Sequence, residues 1–158
     1  MQKITPCLWF DSQAEDAANY YVSIFKNSRI NNVSRYGEGA PVAAGTALMV
    51  DFELEGAPFQ ALNGGPAFSF TEAVSFSVEA PTQDEIDHLW DRLTADGGDP
   101  GRCGWLKDKY GLSWQIVPPI LGELMAGPDQ EKAGRIMQAM LAMDKIIISE
   151  LQDAHDGT

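Results

Sequence analysis

The sequence has 158 residues, a single-domain length, with ordinary hydrophobic and charged fractions of 44% and 22%. Its net charge of −12 disfavours binding to nucleic acid or to an anionic membrane surface. No apolar run approaches the roughly 18 residues that a membrane span needs, and the N-terminus lacks a secretory signal pattern. We therefore expect a cytoplasmic protein whose two cysteines, Cys7 and Cys103, are reduced core residues.

The first half of the chain has the pattern of a strand, a helix and three more strands. The segment "ITPCLWF" predicts a strand, and "AEDAANYYVSIFK" follows with apolar residues at helical spacing. Three further strands are predicted over Arg29 to Tyr36, Gly45 to Leu54 and Ala57 to Asn63. The glycine-rich segments between them, including "NGGPAF", are typical of loops.

The second half begins in the same way, with a strand and an amphipathic helix that are followed by more strands. The segment "AVSFSVEA" predicts a strand, and "TQDEIDHLWDRLTADGG" predicts a helix that Thr82 caps and Gly97-Gly98 ends. Strands follow over Arg102 to Lys107 and Leu112 to Pro118. The apolar helix residues Ala17, Tyr20, Tyr21 and Ile24 recur 69 positions later as Ile86, Leu89, Trp90 and Leu93. Two related modules are therefore predicted.

The repeat continues into the last strand of each module. The segment "LEGAPFQAL" aligns with "KYGLSWQIV", so that Gln115 has a counterpart in Gln60. Beyond these strands, "ILGELMAG", "DQEKAGRIMQAMLAM" and "ISELQDAH" predict helices, with Met137, Met140 and Leu141 in core or subunit packing. The prediction is a single domain, 1–158, with modules 1–66 and 67–118 and a helical extension 119–158.

Several segments together resemble one protein family. They are the two βαβββ blocks and the stretches "AEDAANYYVSIF", "EIDHLWDRLTADGG", "DKYGLSWQIVP" and "EKAGRIMQAMLAMDK". These are similar to the PhnB-like branch of the vicinal oxygen chelate superfamily, often labelled 3-demethylubiquinone-9 3-methyltransferase, over nearly the whole chain. The resemblance implies an α+β homodimer in which tandem βαβββ modules form a curled mixed sheet around a cleft, with C-terminal helices added. Glyoxalase and bleomycin resistance proteins have this fold.

The resemblance also implies where a metal would bind. In enzymes of the superfamily, the first and last strand of each module supply ligands to a divalent ion that acts as a Lewis acid. Transferred to this sequence, those positions are Ile4, Gln60, Ala73 and Gln115. Two apolar side chains and two neutral amides are poor ligands for a hard cation. We therefore predict no metal site and no cofactor.

Strand alternation predicts which residues line the cleft. The residues expected to face the helices are Cys7, Phe59, Phe76 and Trp114. The opposite face would then carry Pro6, Leu8, Pro58, Gln60, Leu62, Ser75, Ser77, Ser113, Gln115 and Val117. This face includes no acid or base, so no catalytic residue is assigned.

A small-molecule ligand is the partner that this apolar face with a few polar groups predicts. The candidate ligand-binding residues are Gln60, Gln115, Ser75, Ser77, Leu8, Leu62 and Trp105. The two glutamines either bind the ligand or satisfy groups of neighbouring strands and each other. His88 and His155 are expected in solvent and in a loose tail, which disfavours a hydrolase triad.

Three functions are open to such a protein. The first is metal-free binding of a small molecule, and the second is a metal-dependent lyase, isomerase or dioxygenase. The third is the methyl transfer of the family label. Methyl transfer is disfavoured because neither "LNGGPAF" nor "DGGDPG" stands between a strand and a following helix, where a nucleotide-type glycine motif is needed.

Overall fold

The computed structural model describes residues 3–158, and the chain divides into two units. The first unit ends at Phe70 and the second is Thr71–Thr158. Met1 and Gln2, which begin the segment searched for a secretory signal, lie outside the described residues. Over residues 3–158, no helix combines the length and the apolar character that crossing a membrane requires.

The first unit has the order strand, helix, strand, strand, strand. Its elements are β1 (Cys7–Phe10), α1 (Ala14–Ile24), β2 (Arg29–Arg35), β3 (Ala47–Leu54) and β4 (Ala57–Asn63). The strands form a mixed sheet in the order β1-β4-β3-β2. β1 and β4 are parallel, and the other neighbours are antiparallel. This is the βαβββ module that the sequence predicts.

Aromatic packing and one cap hold α1 on its sheet. Tyr21 is fully buried, and its ring stacks on Phe52, which in turn stacks on Phe59 at 5.5 Å. At the start of the helix, the backbone N–H of Ala14 donates to Asn63 Oδ1 at 2.8 Å, satisfying one of the free N–H groups of the first turn. Phe52, Phe59 and Asn63 therefore mark the face of the sheet that α1 covers.

The second unit repeats the module and adds three helices. Its elements are β5 (Ser75–Glu79), α2 (Gln83–Thr94), β6 (Asp99–Pro100), β7 (Trp105–Lys107), β8 (Ser113–Val117), α3 (Pro119–Met125), α4 (Gln130–Leu141) and α5 (Ile148–Asp156). The sheet order is β5-β8-β7-β6, with β5 and β8 parallel. β6 was not predicted, because two residues that include a proline give no periodic signal. The predicted α+β fold with tandem βαβββ modules is confirmed.

Matched positions confirm the internal repeat. Gly56 and Gly111 have φ angles of +78° and +84° at the turn before the last strand of each module, a conformation that glycine adopts without strain. Each strand then continues with a buried aromatic, a half-buried glutamine and a buried aliphatic residue: Phe59, Gln60 and Ala61 in β4, and Trp114, Gln115 and Ile116 in β8. The glutamines are therefore equivalent in position and in exposure.

The predicted ends of α2 are also confirmed. Thr82 Oγ1 accepts a hydrogen bond from the backbone N–H of Glu85, which caps the helix. The helix ends at Thr94, and the chain turns through Gly97, whose φ angle is +107°.

The C-terminal helices pack on the second unit. Their small core consists of Ile136, Met143, Ile146 and Leu151. Gln83 of α2 donates from Nε2 to the carbonyl of Ile146 and accepts at Oε1 from the N–H of Ile148. Met140 packs partly against this core, whereas Met137 and Leu141 are exposed, so the predicted stripe is divided.

The end of the chain is held in place and is not the loose tail that the sequence suggested. Arg135 of α4 donates to the backbone carbonyls of Ala154 and His155 in α5, at 2.8 and 2.9 Å. Buried Leu151 fixes the same helix from its apolar side. His155 therefore lies in an ordered helix.

Candidate functional site

Each sheet has a face opposite the helix of its own unit, which we call the far face. In the first unit, the strand register places Cys7, Gln60 and Asp51 side by side on β1, β4 and β3. The residues next to them along each strand are buried on the α1 side, so all three side chains point to the far face. We call these three residues the first row.

The same register occurs in the second unit. Ser77, Gln115 and Trp105 lie side by side on β5, β8 and β7, and we call them the second row. Their neighbours along the strands, Phe76, Trp114 and Leu106, form the row that faces α2. Ser75, Ser113 and Lys107 form another row on the far face. Both glutamines thus occupy the central position of a row.

The predicted orientation of β1 is wrong. Leu8 was expected on the far face, but it is only 5% exposed and pairs with fully buried Ala61 on the α1 side. Cys7, expected to face the helix as a core residue, is exposed and pairs with Gln60. The cause is the nearly uninterrupted apolar character of "ITPCLWF", which contains no alternation to fix the phase of the strand.

Other predicted site residues lie on the far faces, as the alternation of strand side chains predicts. Leu62 and Gln60 are on the far face of the first unit, and both are half-buried. Ser75, Ser77 and Trp105 lie around Gln115 on the far face of the second unit. Neither histidine belongs to a sheet, because His88 is exposed on α2 and His155 lies in α5.

Sequence reasoning missed an acidic residue on the far face. Asp51 lies beside Gln60, whereas no acid or base was expected there. The signal was present in "ALMVDFEL", where buried Val50 and Phe52 alternate with Asp51. Glu53, two residues further on the same face, forms an ion pair with Arg29 at 2.7 Å. Asp51 is therefore the carboxylate next to the candidate ligand-binding amide.

Both glutamine amides are oriented by a hydrogen bond to a side chain. Gln60 Nε2 donates to Asp51 Oδ1 at 3.0 Å, and Gln115 Nε2 donates to Ser75 Oγ at 2.9 Å. The partners differ because Trp105, beside Gln115, has an indole N–H and no acceptor. Neither Oε1 atom accepts a hydrogen bond from residues 3–158. Each amide therefore presents a free acceptor at a fixed position.

The thiol of the first row is held in its neutral form. Partial burial of the sulfur and, secondarily, the negative charge of Asp51 raise the pKa of Cys7 above its ordinary value. Because the thiolate is the nucleophile, a raised pKa makes this cysteine a poor one at neutral pH. The first row is thus better suited to hydrogen bonding than to covalent chemistry.

A buried carboxylate fixes the strand that carries Gln115. Asp108 is 2% exposed, and its Oδ1 accepts from the N–H groups of Tyr110 and Leu112. Its Oδ2 accepts from Trp114 Nε1 at 2.9 Å. Asp108 also begins the turn that contains Gly111, whose N–H donates to the Asp108 carbonyl at 2.9 Å. Sequence reasoning missed this network, although an aspartate that begins a glycine turn is a known signal.

The residues at the implied metal positions do not fit a divalent cation. Ile4 and Ala73 lie before β1 and β5 and have no donor atom in their side chains, while Gln60 and Gln115 are neutral. Over residues 3–158, no group of three or more His, Cys, Asp or Glu side chains could hold a metal ion. The metal content of the protein itself stays a prediction.

The glycine-rich segments lack the surroundings of a nucleotide site. After β4, the chain from residue 64 to residue 74 contains no helix and leads directly into β5. The segment "DGGDPG" follows α2 and leads into β6, so it does not begin a helix.

Sequence comparison identifies the family. The family described as 3-demethylubiquinone-9 3-methyltransferase matches residues 2–117. The chain belongs to this family. The putative 3-demethylubiquinone-9 3-methyltransferase PhnB protein from Bacillus cereus is 37% identical, with a TM-score of 0.69 over 74% of this chain and 99% of that one. No curated protein matches.

Two further solved structures match the chain at low sequence identity. Protein PA1353 from Pseudomonas aeruginosa is 16% identical, with a TM-score of 0.61 over 75% of this chain and 98% of that one. A possible glyoxalase from Bacillus cereus is 10% identical, with a TM-score of 0.48 over 73% and 99%. The predicted PhnB-like resemblance is confirmed. The family match ends at residue 117, however, and does not include the C-terminal helices to which the sequence resemblance was extended.

Proposed function

We propose that this PhnB-like protein binds a small organic molecule at the far faces of its sheets, without the divalent metal of the superfamily's enzymes. The observation that supports this most strongly is the state of Gln60 and Gln115. Each amide is held through Nε2, and neither Oε1 accepts a hydrogen bond within the described part of the chain, residues 3–158. An acceptor that is already oriented loses little conformational entropy when a ligand donates to it.

The surroundings of the glutamines also support ligand binding. Leu62 and Trp105 provide apolar contact area on the two far faces, and Ser75 and Ser77 add hydroxyl groups near Gln115. A mostly apolar surface with a few oriented polar groups is typical of small-molecule sites. Leu8 is left out of the proposed site because it is buried on the α1 side.

The proposal also covers the domain organisation, the cellular location and the oligomeric state of the protein. We propose that modules 1–66 and 67–118 and the extension 119–158 form a single domain, and that the protein is a cytoplasmic homodimer. Sedimentation equilibrium tests the dimer directly, with a mass of twice 17.2 kDa expected and a mass of 17.2 kDa contradicting it.

Replacement of the two glutamines tests the binding site. A library of small amines, alcohols and carboxylic acids is screened by thermal shift, and the affinities of the hits are measured for Gln60→Leu, Gln115→Leu and the double variant. Replacement of the glutamine in the unit that holds the ligand should weaken binding about fivefold, which corresponds to a hydrogen bond of about 1 kcal/mol. Gln152→Leu, an exposed glutamine of α5, is the matched control. Unchanged affinity in the double variant would contradict the proposal.

Metal analysis separates this proposal from a metal-dependent lyase, isomerase or dioxygenase. We expect much less than one equivalent of metal in protein purified without chelators. Melting temperatures should not change on addition of Mg²⁺, Mn²⁺, Ni²⁺ or Zn²⁺, because binding to the folded state alone would raise them. One metal ion per chain would overturn the metal-free proposal.

Methyl transfer is the remaining candidate, because the family description and the name of the Bacillus cereus relative include it. The absence of a helix after "LNGGPAF" in residues 64–74 argues against a nucleotide-type site there. Calorimetry with S-adenosylmethionine should therefore give no saturable heat. Saturable binding would favour the methyltransferase.

A further inference from the structure

A cavity of about 250 Å³ lies in the second unit, beside the second row. Five of its lining residues have polar or aromatic side chains, namely two carboxylates, an ammonium, an indole and a hydroxyl: Glu72, Asp99, Lys107, Trp105 and Ser113. This volume is below the roughly 300–1,000 Å³ of drug-sized sites, so the cavity suits a ligand, or a part of one, with only a few atoms.

The hydroxyl in this cavity lacks a partner. Ser113 is 1% exposed, and its Oγ has no hydrogen-bond partner among residues 3–158. Buried polar groups in native proteins almost always have a partner, because leaving one unsatisfied is costly. A polar atom that enters the cavity can therefore gain a hydrogen bond that the chain does not supply.

The charges around the cavity favour a cation. Lys107 forms an ion pair with Glu72 and lies opposite Asp99 in the β6–β7 ladder. The hydrogen bond that Lys107 donates to Glu72, the negative charge of Glu72 and, to a lesser extent, the charge of Asp99 raise the pKa of Lys107, so this lysine stays protonated. Two carboxylates surround one ammonium, which leaves one negative charge uncompensated. An anionic ligand would be repelled, whereas a cation would complete the balance.

The β6–β7 hairpin keeps these groups in place. The N–H of Gly101 donates to the carbonyl of Trp105 at 2.8 Å, and a Cβ at Gly101 would lie 2.7 Å from that oxygen. Only glycine allows the chain this approach, which sets Trp105 at the wall of the cavity. The face of an indole ring attracts cations.

We propose that this cavity binds a primary ammonium group. Ser113 Oγ would accept one N–H, Asp99 would balance the positive charge, and Trp105 would contact the carbon next to the nitrogen. The inference rests on the proposed function, because it assigns a ligand class to the far face of the second unit.

Three probes of equal length test the ligand class. Propylammonium, 1-propanol and propionate are titrated at low ionic strength, where screening of charges is weakest, and NMR follows the indole N–H of Trp105. Propylammonium should bind with a Kd on the order of millimolar, roughly fivefold more tightly than propanol. Propionate should not bind. No binding of propylammonium, or equal binding of propionate, would overturn the inference.

Variants locate the site. Asp99→Asn and Ser113→Ala should each weaken propylammonium binding several-fold, whereas Glu79→Gln, an exposed carboxylate of β5 outside the cavity lining, should leave it unchanged. Ser113→Ala should also raise the melting temperature of the free protein, because it removes an unsatisfied buried hydroxyl. Unchanged binding in both cavity variants would contradict the site.

The outcomes also separate this inference from the proposed function. If propylammonium fails to bind while another compound binds in a manner that depends on Gln60 and Gln115, the ammonium site is wrong and the proposed function stands. If propylammonium binds in this cavity and the binding of no ligand depends on the glutamines, the ammonium site stands and the proposed function is wrong.

Discussion

In the first unit, the glutamine of the last strand lies between Cys7 and Asp51, whereas in the second unit it lies between Ser77 and Trp105. The turn glycine, the strand register and the glutamine are shared, and the neighbouring side chains are not. Each amide donates to the acceptor that its own sheet provides. Within residues 3–158, the repeat therefore keeps an amide oxygen that accepts no hydrogen bond in two different chemical surroundings.

The two units also differ in how they fix that strand. Three residues before the turn glycine, the second unit has buried Asp108 with its three hydrogen bonds, and the first has Glu53 in an ion pair with exposed Arg29. Asp108 and Glu53 hold equivalent positions in the repeat, but Asp108 is buried whereas Glu53 is only half-buried. We expect the two carboxylates to contribute very differently to stability.

The largest effect should therefore come from Asp108→Ala. It leaves two backbone N–H groups and the Trp114 indole without their acceptor, and we expect a loss of about 3 kcal/mol in the free energy of unfolding. Glu53→Ala should cost less than about 1 kcal/mol, as is usual for surface ion pairs. Urea unfolding measures both. Equal losses would contradict the assigned difference between the units.

A smaller and equal effect is expected at the two turn glycines. Gly56→Ala and Gly111→Ala each place a Cβ in the left-handed region, which costs about 1–2 kcal/mol. Neither Cβ would meet an atom closer than 3.5 Å, so no steric clash adds to this cost. Urea unfolding of the pair should give the same loss within error. A clear difference would show that the turns are not equivalent.

The smallest effect concerns the charge in the first row. The negative charge of Asp51 helps to raise the pKa of Cys7, so Asp51→Asn should lower that pKa and increase the thiolate fraction at a given pH. In a Cys103→Ser background, alkylation at pH 8 should become about two- to fivefold faster, as expected for a weak, partly solvated charge interaction. The pKa should stay above its ordinary value, because burial, its larger cause, remains. A slower reaction would contradict this arrangement.

The sequence predicts the modules well because their signals are local. Amphipathic helices, a capping residue at Thr82 and the spacing of glycine and glutamine all depend on neighbours in the chain. The phase of β1 could not be predicted, since apolar residues on both sides of Cys7 give no alternation. The network of Asp108 and the partners of the glutamines depend on which strands pair, and that information is not local.

The proposed function requires the amide oxygen of Gln60, of Gln115 or of both to accept a hydrogen bond from a ligand. The most direct measurement follows the side-chain amide signals of both residues by ¹H–¹⁵N NMR during titration with the strongest hit from the thermal-shift screen. Gln60→Leu and Gln115→Leu assign these signals. We predict that at least one of them shifts saturably, with the same Kd as the backbone signals of its strand. Backbone shifts elsewhere, with both side-chain amides unchanged, would contradict the claim.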